Sequence, residues 1–397
     1  MSLSQALRFP EFDSSDYQAY KVSDFLERYV KPVLLEDECE YTEIGIRSWG
    51  KGIFYKEPST KATIGNKRVF WLDSDLFIVN IVFAWEQAVA ITTVSEVGKI
   101  ASHRFPMFRV DADKANAKYL LYKFMTGRGK QLLELASPGG AGRNKTLGQK
   151  EFENLKVVLP SVKEQQKIAA FIVTIDRKID QLKEKHRLLK EYQKGMMQQV
   201  FTQKVRFTDR DGNEFPEWTE VRLSNALEER KEKTTTENEY EVLTSSRGGL
   251  MKQSEYYVTG RITERSNIGY HVLPEGFLTY RSRSDDRLFF FNENALGVTG
   301  IISHYYPVFS MKNGQNKFFV YLARYYSNVF GKYAVGTSQV VLSFKALGEI
   351  KLPMPSADEQ KKITQFLQSI DRKIEGVAKQ IEQTERFKTG LLQQMFV

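Results

Sequence analysis

EQQKIAAFIVTIDRKID (Glu164–Asp180) and EQKKITQFLQSIDRKIE (Glu359–Glu375) are two versions of one stretch, and the second begins 195 residues after the first. The same spacing relates GMMQQVF from Gly195 to GLLQQMF from Gly390. It also extends back to the Pro-Ser dipeptides that precede both stretches. A register held without a gap over this length indicates an internal duplication. The chain is therefore predicted to contain two copies of one plan.

Both stretches carry apolar residues at alternating steps of three and four, the spacing of a helix that packs along one seam. Neither helix has Gly or Pro between its start and Gly195 or Gly376. Ser161 and Ser356, each followed three residues later by a glutamate, are typical of capping boxes. Two such helices of equal length are expected to pack against each other. The expected packing residues are Ile168, Ile172, Ile175, Ile179 and Leu182 in the first helix, and Ile363, Leu367, Ile370, Ile374, Val377 and Ile381 in the second.

Three polar residues, His186, Gln193 and Lys388, interrupt the seam. Polar layers of this kind fix register or orientation at a cost in stability. A role for His186 as a ligand or proton carrier finds no second residue to support it. We therefore predict that the three residues fix the register of the helices.

The segments before the helices, about 20–155 and 220–350, are called here the first and second head. Short runs rich in aromatic and β-branched residues alternate with Gly, Asn and Asp, which favours strands. A short helix is predicted from Lys114 in the first head and from Asn316 in the second. The predicted class is α+β, with two α/β recognition heads and two long antiparallel helices. The predicted segments are 1–160 and 204–355 for the heads, and 161–203 and 356–397 for the helices.

The two halves also open on similar letters, FPEF from Phe9 and FPEW from Phe215. The second of these follows a turn-rich linker from Lys204. We therefore predict that the two tetrapeptides occupy equivalent places in the two copies.

The formal net charge of +9 and the pI near 9.2 are compatible with a polyanionic partner, although charge alone is a weak signal. Glycine-rich loops begin at Ser137 and Gly336, and their backbone amides and polar side chains suit phosphates and base edges. In register, Arg143 falls opposite Ser338, and Asn144 opposite Gln339. For any single residue, a solvated surface role is the competing interpretation. The candidate DNA contacts are Arg47, Lys51, Lys56, Arg143, Asn144, Lys145, Arg247, Lys252, Arg281, Arg283, Ser338 and Gln339.

The candidate motifs for catalysis in the sequence are incomplete. Gly45, Gly50 and Lys51 have the spacing of a phosphate-binding loop, but Gly52 stands where Ser or Thr would ligate magnesium. The four histidines lack short metal-ligand spacing, and Cys39 is the single cysteine. No apolar run reaches the roughly 20 residues of a membrane helix. We expect a cytoplasmic, non-catalytic protein without a metal site, although a divergent nuclease stays an alternative.

The chain resembles the specificity subunits of Type I restriction-modification systems. The resemblance covers the whole chain and is strongest at LPSVKEQQKIAAF from Leu159 and MPSADEQKKITQF from Met354. The FPEW opening, WGKGIF from Trp49, SSRGGLMKQSEYY from Ser245 and the Gly-x-x-Gln-x-x-Leu loop at Gly336 are also similar to the family pattern. The first half departs from that last motif with a longer loop.

The resemblance implies two target recognition domains, each reading half of a split, asymmetric site in double-stranded DNA. It also implies methyltransferase subunits docked on the helices, and restriction subunits that join them. S-adenosylmethionine, ATP and magnesium would then belong to the partners, with no cofactor in this chain and no membrane contact. A helix of roughly 35 residues is about 50 Å long, or one and a half turns of B-DNA. Two alternatives stay open: service to a fused nuclease-methyltransferase, and a generic architectural DNA protein.

Overall fold

The computed structural model describes residues 7–13, 16–139, 145–256 and 266–396. The chain divides into two compact units. Unit 1 comprises Met1–Lys183 and Ala378–Val397, and unit 2 comprises Glu184–Val377. The long helices run from Val162 to Phe201 and from Ala357 to Met395, so the unit boundaries fall inside both helices. Each unit thus combines one head with the start of one long helix and the end of the other.

Unit 1 is built on a four-stranded antiparallel sheet of order β2-β11-β8-β9, with four smaller strand pairs. The pairs are β1 with β12, β7 with β10, β3 with β6, and β4 with β5. Its elements are β1 (Gln18–Lys21), β2 (Leu26–Tyr29), β3 (Glu40–Tyr41), β4 (Ile44–Ile46), β5 (Ile53–Tyr55), β6 (Ser59–Thr60), α1 (Lys61–Ile64), β7 (Val69–Trp71), β8 (Phe77–Val79), β9 (Val89–Ile91), β10 (Ile100–Ser102), β11 (Met107–Val110), α2 (Ala117–Met125), α3 (Gly127–Leu135), α4 (Gln149–Glu153), β12 (Lys156–Leu159) and α5 (Val162–Phe201), the last of which ends in unit 2.

Unit 2 repeats this plan with a four-stranded antiparallel sheet of order β14-β22-β18-β20. A second sheet, of order β16-β15-β21-β17, includes the parallel pair β15–β21. β13 pairs with β24, and β19 with β23. Its elements are β13 (Thr219–Arg222), α6 (Leu223–Ala226), β14 (Leu227–Arg230), β15 (Glu241–Ser246), β16 (Gly249–Lys252), α7 (Gln253–Tyr256), β17 (His271–Leu273), β18 (Leu278–Tyr280), β19 (Arg283–Ser284), β20 (Phe291–Glu293), β21 (Gly300–Ile302), β22 (Val308–Met311), α8 (Asn316–Tyr325), α9 (Ser327–Phe330), β23 (Val340–Val341), α10 (Phe344–Glu349), β24 (Lys351–Met354) and α11 (Ala357–Met395), which ends in unit 1.

The duplication and the α+β class are confirmed. The antiparallel four-stranded sheet of unit 1, β2-β11-β8-β9, and that of unit 2, β14-β22-β18-β20, connect equivalent strands in the same order. The predicted head helices are α2 and α8. The apolar face of each head helix lies in the core of its unit, where aromatic side chains dominate. In unit 2, the ring of Phe291 contacts those of Tyr280, Phe319 and Phe330. Large rings contribute strongly to such cores because each buries a large apolar area.

The predicted seam residues of both long helices are buried or half-buried. Their packing differs from a simple pair of helices. In unit 1, Ile168 and Ile172 of α5 lie in one cluster with the head and with Leu391 and Met395 from the end of α11. In unit 2, Ile363 of α11 has the equivalent place. The seams therefore also complete the cores of the heads, which hydrophobic spacing alone does not reveal.

The helices run antiparallel within unit 1, where Asp176 pairs with Lys388 and Lys183 pairs with Glu385. Asp176 also accepts a hydrogen bond of 2.7 Å from the Tyr122 hydroxyl. In unit 2, Asp371 accepts the equivalent bonds from Tyr321 and Gln193. Two of the three seam interruptions therefore contact a carboxylate of the opposite helix, at matching positions of the duplication. Their role in fixing register stays a prediction.

Only one half of each predicted capping box forms. The backbone N–H of Glu164 donates to the Ser161 hydroxyl at 3.4 Å, and Glu359 repeats this bond with Ser356. The glutamate side chains bind arginines instead, because a buried carboxylate is most stable beside a cation. Glu164 is fully buried and accepts a hydrogen bond of 2.6 Å from the Arg8 guanidinium.

The predicted equivalence of FPEF and FPEW is wrong. Arg206 binds Glu359 as Arg8 binds Glu164. The next residue repeats the match, since Phe9 packs on Phe171 and Phe207 packs on Phe366. The counterpart of Phe9 is therefore Phe207, eight residues before the FPEW tetrapeptide. The dipeptide Arg-Phe, present at both places, carries the true register.

Candidate nucleic-acid interface

A β-hairpin occupies the same place in each unit. In unit 1, β4 pairs with β5, and Glu43 just before β4 forms a parallel bridge to Ile100 of β10. In unit 2, β15 pairs with β16 and runs parallel to β21. The two hairpin turns carry Ser-Trp-Gly from Ser48 and Ser-Arg-Gly from Ser246. They are called here the first and second reading hairpin, and their central residues are Trp49 and Arg247.

The first reading hairpin is held firmly in a strained conformation. Trp49 has a φ of 62°, which is rare for a bulky side chain and costs about 1–3 kcal/mol. The backbone N–H of Trp49 donates to the Glu86 carbonyl at 2.8 Å, and the backbone N–H of Gly50 donates to the Gln87 carbonyl at 3.2 Å. The Ser48 hydroxyl donates to the Glu86 carboxylate at 2.6 Å. Gly50 has a φ of 62°, a left-handed conformation that favours glycine.

A cavity of about 440 Å³ opens beside this hairpin. It brings together three of the predicted contacts, Arg47, Lys51 and Lys56, with the aromatic side chains of Trp49 and Phe83. All five are exposed. Cations next to exposed rings form a surface that suits phosphates and the faces of bases.

A larger cavity, of about 820 Å³, lies beside the second reading hairpin. It collects four predicted contacts, Arg247, Arg281, Arg283 and Gln339. The Arg283 guanidinium lies 4.1 Å from the centre of the Tyr305 ring, so its direction is fixed by a cation–π contact. Positive charge again stands beside aromatic faces.

Two carboxylates organise the polar groups of this second cavity. Arg247 forms an ion pair with Asp286, and the hydrogen bonds from Ser284 and Arg247 lower the pKa of the Asp286 carboxyl. The Gln339 side chain donates to Asp285 at 3.1 Å. An amide held in this way has its carbonyl oxygen and one N–H left to offer to a base edge.

The predicted loop from Gly336 is positioned by strand pairing. β23 pairs with β19, and the N–H of Val335 donates to the carbonyl of Val341 at 3.0 Å. Gly336 has a φ of 132°, and a Cβ there would lie 2.4 Å from the Gln339 carbonyl oxygen. The tight turn therefore needs glycine, and it places Gln339 on the wall of the second cavity.

The remaining predicted contacts are dispersed. Ser338 is exposed on the Gly336 loop, outside the lining of the cavity. Lys252 lies 3.9 Å from Glu241, and Lys145 lies 5.8 Å from the Trp85 ring. Arg143 and Asn144 fall outside the described residues. The lining residues that the sequence did not single out include Trp49, Phe83, Asp285, Phe290 and Tyr305.

Lys56 has a structural partner that the sequence did not reveal. Its ammonium lies 2.7 Å from the carboxylate of Glu43, which is 4 % exposed. Burial alone would raise the pKa of Glu43, but the hydrogen bond from Lys56 and the charges of Lys56 and Lys67 outweigh it and lower the pKa. Lys56 therefore neutralises a buried acid beneath the cavity.

We expect Lys56→Ala to lower the free energy of unfolding by about 1–3 kcal/mol, because it leaves a buried carboxylate without its nearest donor. Since the folded-state pKa of Glu43 is lowered, its stabilising contribution is present above the unfolded pKa and is lost as the pH falls towards the folded value. Lys51→Ala, an exposed change on the same hairpin, is the control and should change stability by less than about 0.5 kcal/mol. Urea unfolding at neutral and acidic pH measures both. Equal stability of the two variants would contradict the role of Lys56.

Within residues 7–13, 16–139, 145–256 and 266–396, no group of three or more His, Cys, Asp or Glu side chains is placed to hold a metal ion. Among the helices of those same ranges, none is both long enough and apolar enough to cross a membrane.

The family model for the Type I restriction modification DNA specificity domain matches the chain twice, over residues 16–191 and 217–386. The chain belongs to this family. The two matches fall on the two copies seen in the fold. Each copy contains one reading hairpin and one of the two cavities.

Individual relatives agree with the family assignment. The chain is 25% identical over 426 residues to the Type I restriction enzyme MjaVIII specificity subunit of Methanocaldococcus jannaschii, covering 97% of this chain and 92% of that one. The fold is similar to the HsdS subunit from Thermoanaerobacter tengcongensis, with a TM-score of 0.52, 16% identity and coverage of 100% and 99%. It is also similar to the S subunit of a Type-I restriction-modification system from M. genitalium, with a TM-score of 0.57, 12% identity and 99% coverage of both chains.

Proposed function

We propose that this chain is the DNA sequence-specificity subunit of a Type I restriction-modification enzyme, and that each unit reads one half of a bipartite, asymmetric DNA site. The observation that carries the proposal is the pair of basic, aromatic cavities, one beside the equivalent hairpin of each copy. The copies share their sheet order but differ in the side chains of these cavities. Because the two cavities carry different side chains on the same fold, the two half-sites are expected to differ in sequence.

Reading is divided between two kinds of contact. Exposed cations such as Lys51 hold phosphates and contribute affinity that falls with salt, whereas Arg283 and Gln339 face base edges and contribute discrimination. Asp285 holds the amide of Gln339 in one orientation, which favours one hydrogen-bond pattern over others. Each such contact is worth about 1–3 kcal/mol of discrimination against a wrong base.

The long helices set the separation of the half-sites and dock the methyltransferase subunits. At a rise of 1.5 Å per residue, α5 and α11, with 40 and 39 residues, are each about 60 Å long. The outward faces of both helices are exposed and charged, as in the Arg187 pairs with Glu184 and Glu191 on α5 and the Arg386 pair with Glu382 on α11. Such faces suit a protein partner rather than a core.

Catalysis and cofactors belong to the partners in this proposal. Methyltransferase subunits would bind S-adenosylmethionine, and restriction subunits would bind ATP and magnesium. The chain itself supplies recognition in the cytoplasm. The printed name of the M. jannaschii relative, a specificity subunit, supports this division of roles.

The competing function is a generic architectural DNA protein, favoured by the exposed cations of both cavities. The two functions differ in binding at fixed salt, because a specific reader binds its own site about 10³-fold or more tighter than random DNA. The experiment that separates them measures binding of the chain, together with its methyltransferase partner, to a library of genomic DNA duplexes. The bound fraction is then sequenced. Enrichment of one bipartite motif is expected. Equal recovery of all sequences would contradict the proposal.

A further inference from the structure

Trp49 is the most exposed aromatic residue beside either cavity. Its side chain is 52 % exposed, although tryptophan is normally well buried. It stands at the tip of the first reading hairpin, in the lining of the basic cavity. The Lys130 ammonium lies 5.3 Å from the centre of the ring, a contact at an exposed site that stabilises the fold less than the positive φ of Trp49 destabilises it. The side chain is therefore displayed at a cost to the fold.

The hairpin beneath Trp49 is anchored at several points, so the ring is presented rigidly. Besides the backbone bonds to Glu86 and Gln87, Gln87 itself has a φ of 58° and is buried. Its side-chain amide donates to the carbonyls of Phe124 and Thr126, both at 3.0 Å. Two left-handed residues are thus locked against each other and against the end of α2. A rigid ring at the mouth of a basic cavity loses little entropy on binding.

The equivalent hairpin of unit 2 has a shorter turn with different chemistry. Its tip carries Arg247 and Gly248 between the paired Ser246 and Gly249, and the Arg247 guanidinium lies 5.3 Å from the Phe290 ring. Arginine at such a tip can donate to guanine in the groove, whereas tryptophan has one N–H and a large apolar face. The first tip is suited to a base face, and the second to a base edge.

Resting on the proposed function, we propose that Trp49 inserts at one base step of the first half-site and stacks on the base that it exposes. Arg47 and Lys51 hold the flanking phosphates, and the exposed ring of Phe83 extends the apolar surface. Apolar side chains inserted in this way unstack one step, and the ease of unstacking depends on sequence. Trp49 then contributes specificity through DNA deformability, while the second unit reads by hydrogen bonds.

The test uses the full chain in complex with its methyltransferase partner. The probes are duplexes that carry the motif found in methylated host DNA, with 2-aminopurine placed in turn at each position of the first half-site. Wild type is expected to raise the fluorescence at one step. Trp49→Ala should abolish that rise and weaken binding roughly 5- to 150-fold, the effect of losing one aromatic–base stack. Trp49→Phe should keep most of both.

Stability separates this role from a structural one. Trp49→Gly relieves the positive φ, so its melting temperature should equal or exceed that of wild type while its affinity falls like that of Trp49→Ala. Leu34→Ala, a change at a 90 % exposed apolar residue outside the cavity lining, is the control and should alter neither. Unchanged fluorescence at every position, unchanged affinity of Trp49→Ala, or a lowered melting temperature of Trp49→Gly would each overturn the inference. Failure of wild type to prefer its motif over a scrambled duplex would instead overturn the proposed function.

Discussion

Replacing Arg206 with alanine is expected to lower the free energy of unfolding of unit 2 by about 3–5 kcal/mol, the usual cost of leaving a buried charge without its partner. Arg206 reaches the carboxylate of Glu359, which is 1 % exposed, and also binds the backbone carbonyls of Phe215 and Pro216. It therefore ties the linker before the second head to the first turn of α11. Trp218 is the second donor to Glu359, at 3.1 Å, and its bond remains in the variant.

Denaturant unfolding followed by circular dichroism measures this effect. Arg206→Ala combined with Glu359→Gln should recover part of the loss, because the amide removes the unpaired charge. Arg222→Ala, which breaks the ion pair with Glu349 between two half-exposed side chains, is the matched control and should cost less than about 1 kcal/mol. A loss for Arg206→Ala no larger than for Arg222→Ala would show that the buried pair is not what holds this junction.

The second large effect is expected in DNA binding. Arg283→Ala should weaken binding to the cognate site by about 1–3 kcal/mol and relax discrimination in one half-site only. The Tyr305 ring already orients its guanidinium, so the contact forms with little loss of side-chain freedom. Binding to duplexes with single base changes in each half-site, at one fixed salt concentration, measures the effect.

Arg324 provides the matched control for Arg283. It is an exposed arginine of the same unit on α8, and it does not line the cavity. Arg324→Ala should leave the discrimination between bases unchanged. If Arg283→Ala weakens binding to all duplexes equally, Arg283 contacts phosphate rather than a base edge.

The long helices and the duplication could be predicted from the sequence because they rest on periodicity, which survives divergence. Ile168 and Ile363 have the same place in the repeat and the same buried environment in the structure. The strands of the heads could also be predicted, because short apolar segments such as the one from Leu76 are bounded by turn residues.

The equivalence of FPEF and FPEW was predicted wrongly because it rested on sequence similarity alone, without knowledge of the contacts. FPEW lies in the linker before β13, whereas the true match to Arg8 and Phe9 is a dipeptide, Arg206-Phe207, that precedes the turn of the linker. A dipeptide is too short to be significant by itself. It becomes significant only when the buried carboxylates of Glu164 and Glu359 are seen to bind both arginines.

The candidate site was predictable as a set of cations but not as a surface. Arg47, Lys51 and Lys56 are near one another in sequence, and they line one cavity. The residues that join them, Phe83 and Asn80, come from a loop about thirty residues further along the chain. Such contacts arise from strand order, and local sequence carries no signal for them. The strain at Trp49 is likewise visible only in the backbone.

Sequencing of modified bases in DNA from a host that expresses the chain with its methyltransferase tests two-headed reading most directly, and it should include wild type, a Trp49→Ala variant and an Arg283→Ala variant. Wild type is predicted to give one bipartite motif with unlike halves and a constant gap. Each variant is predicted to degrade a different half of that motif while the gap stays the same. A single continuous motif, or loss of the same half in both variants, would contradict the account.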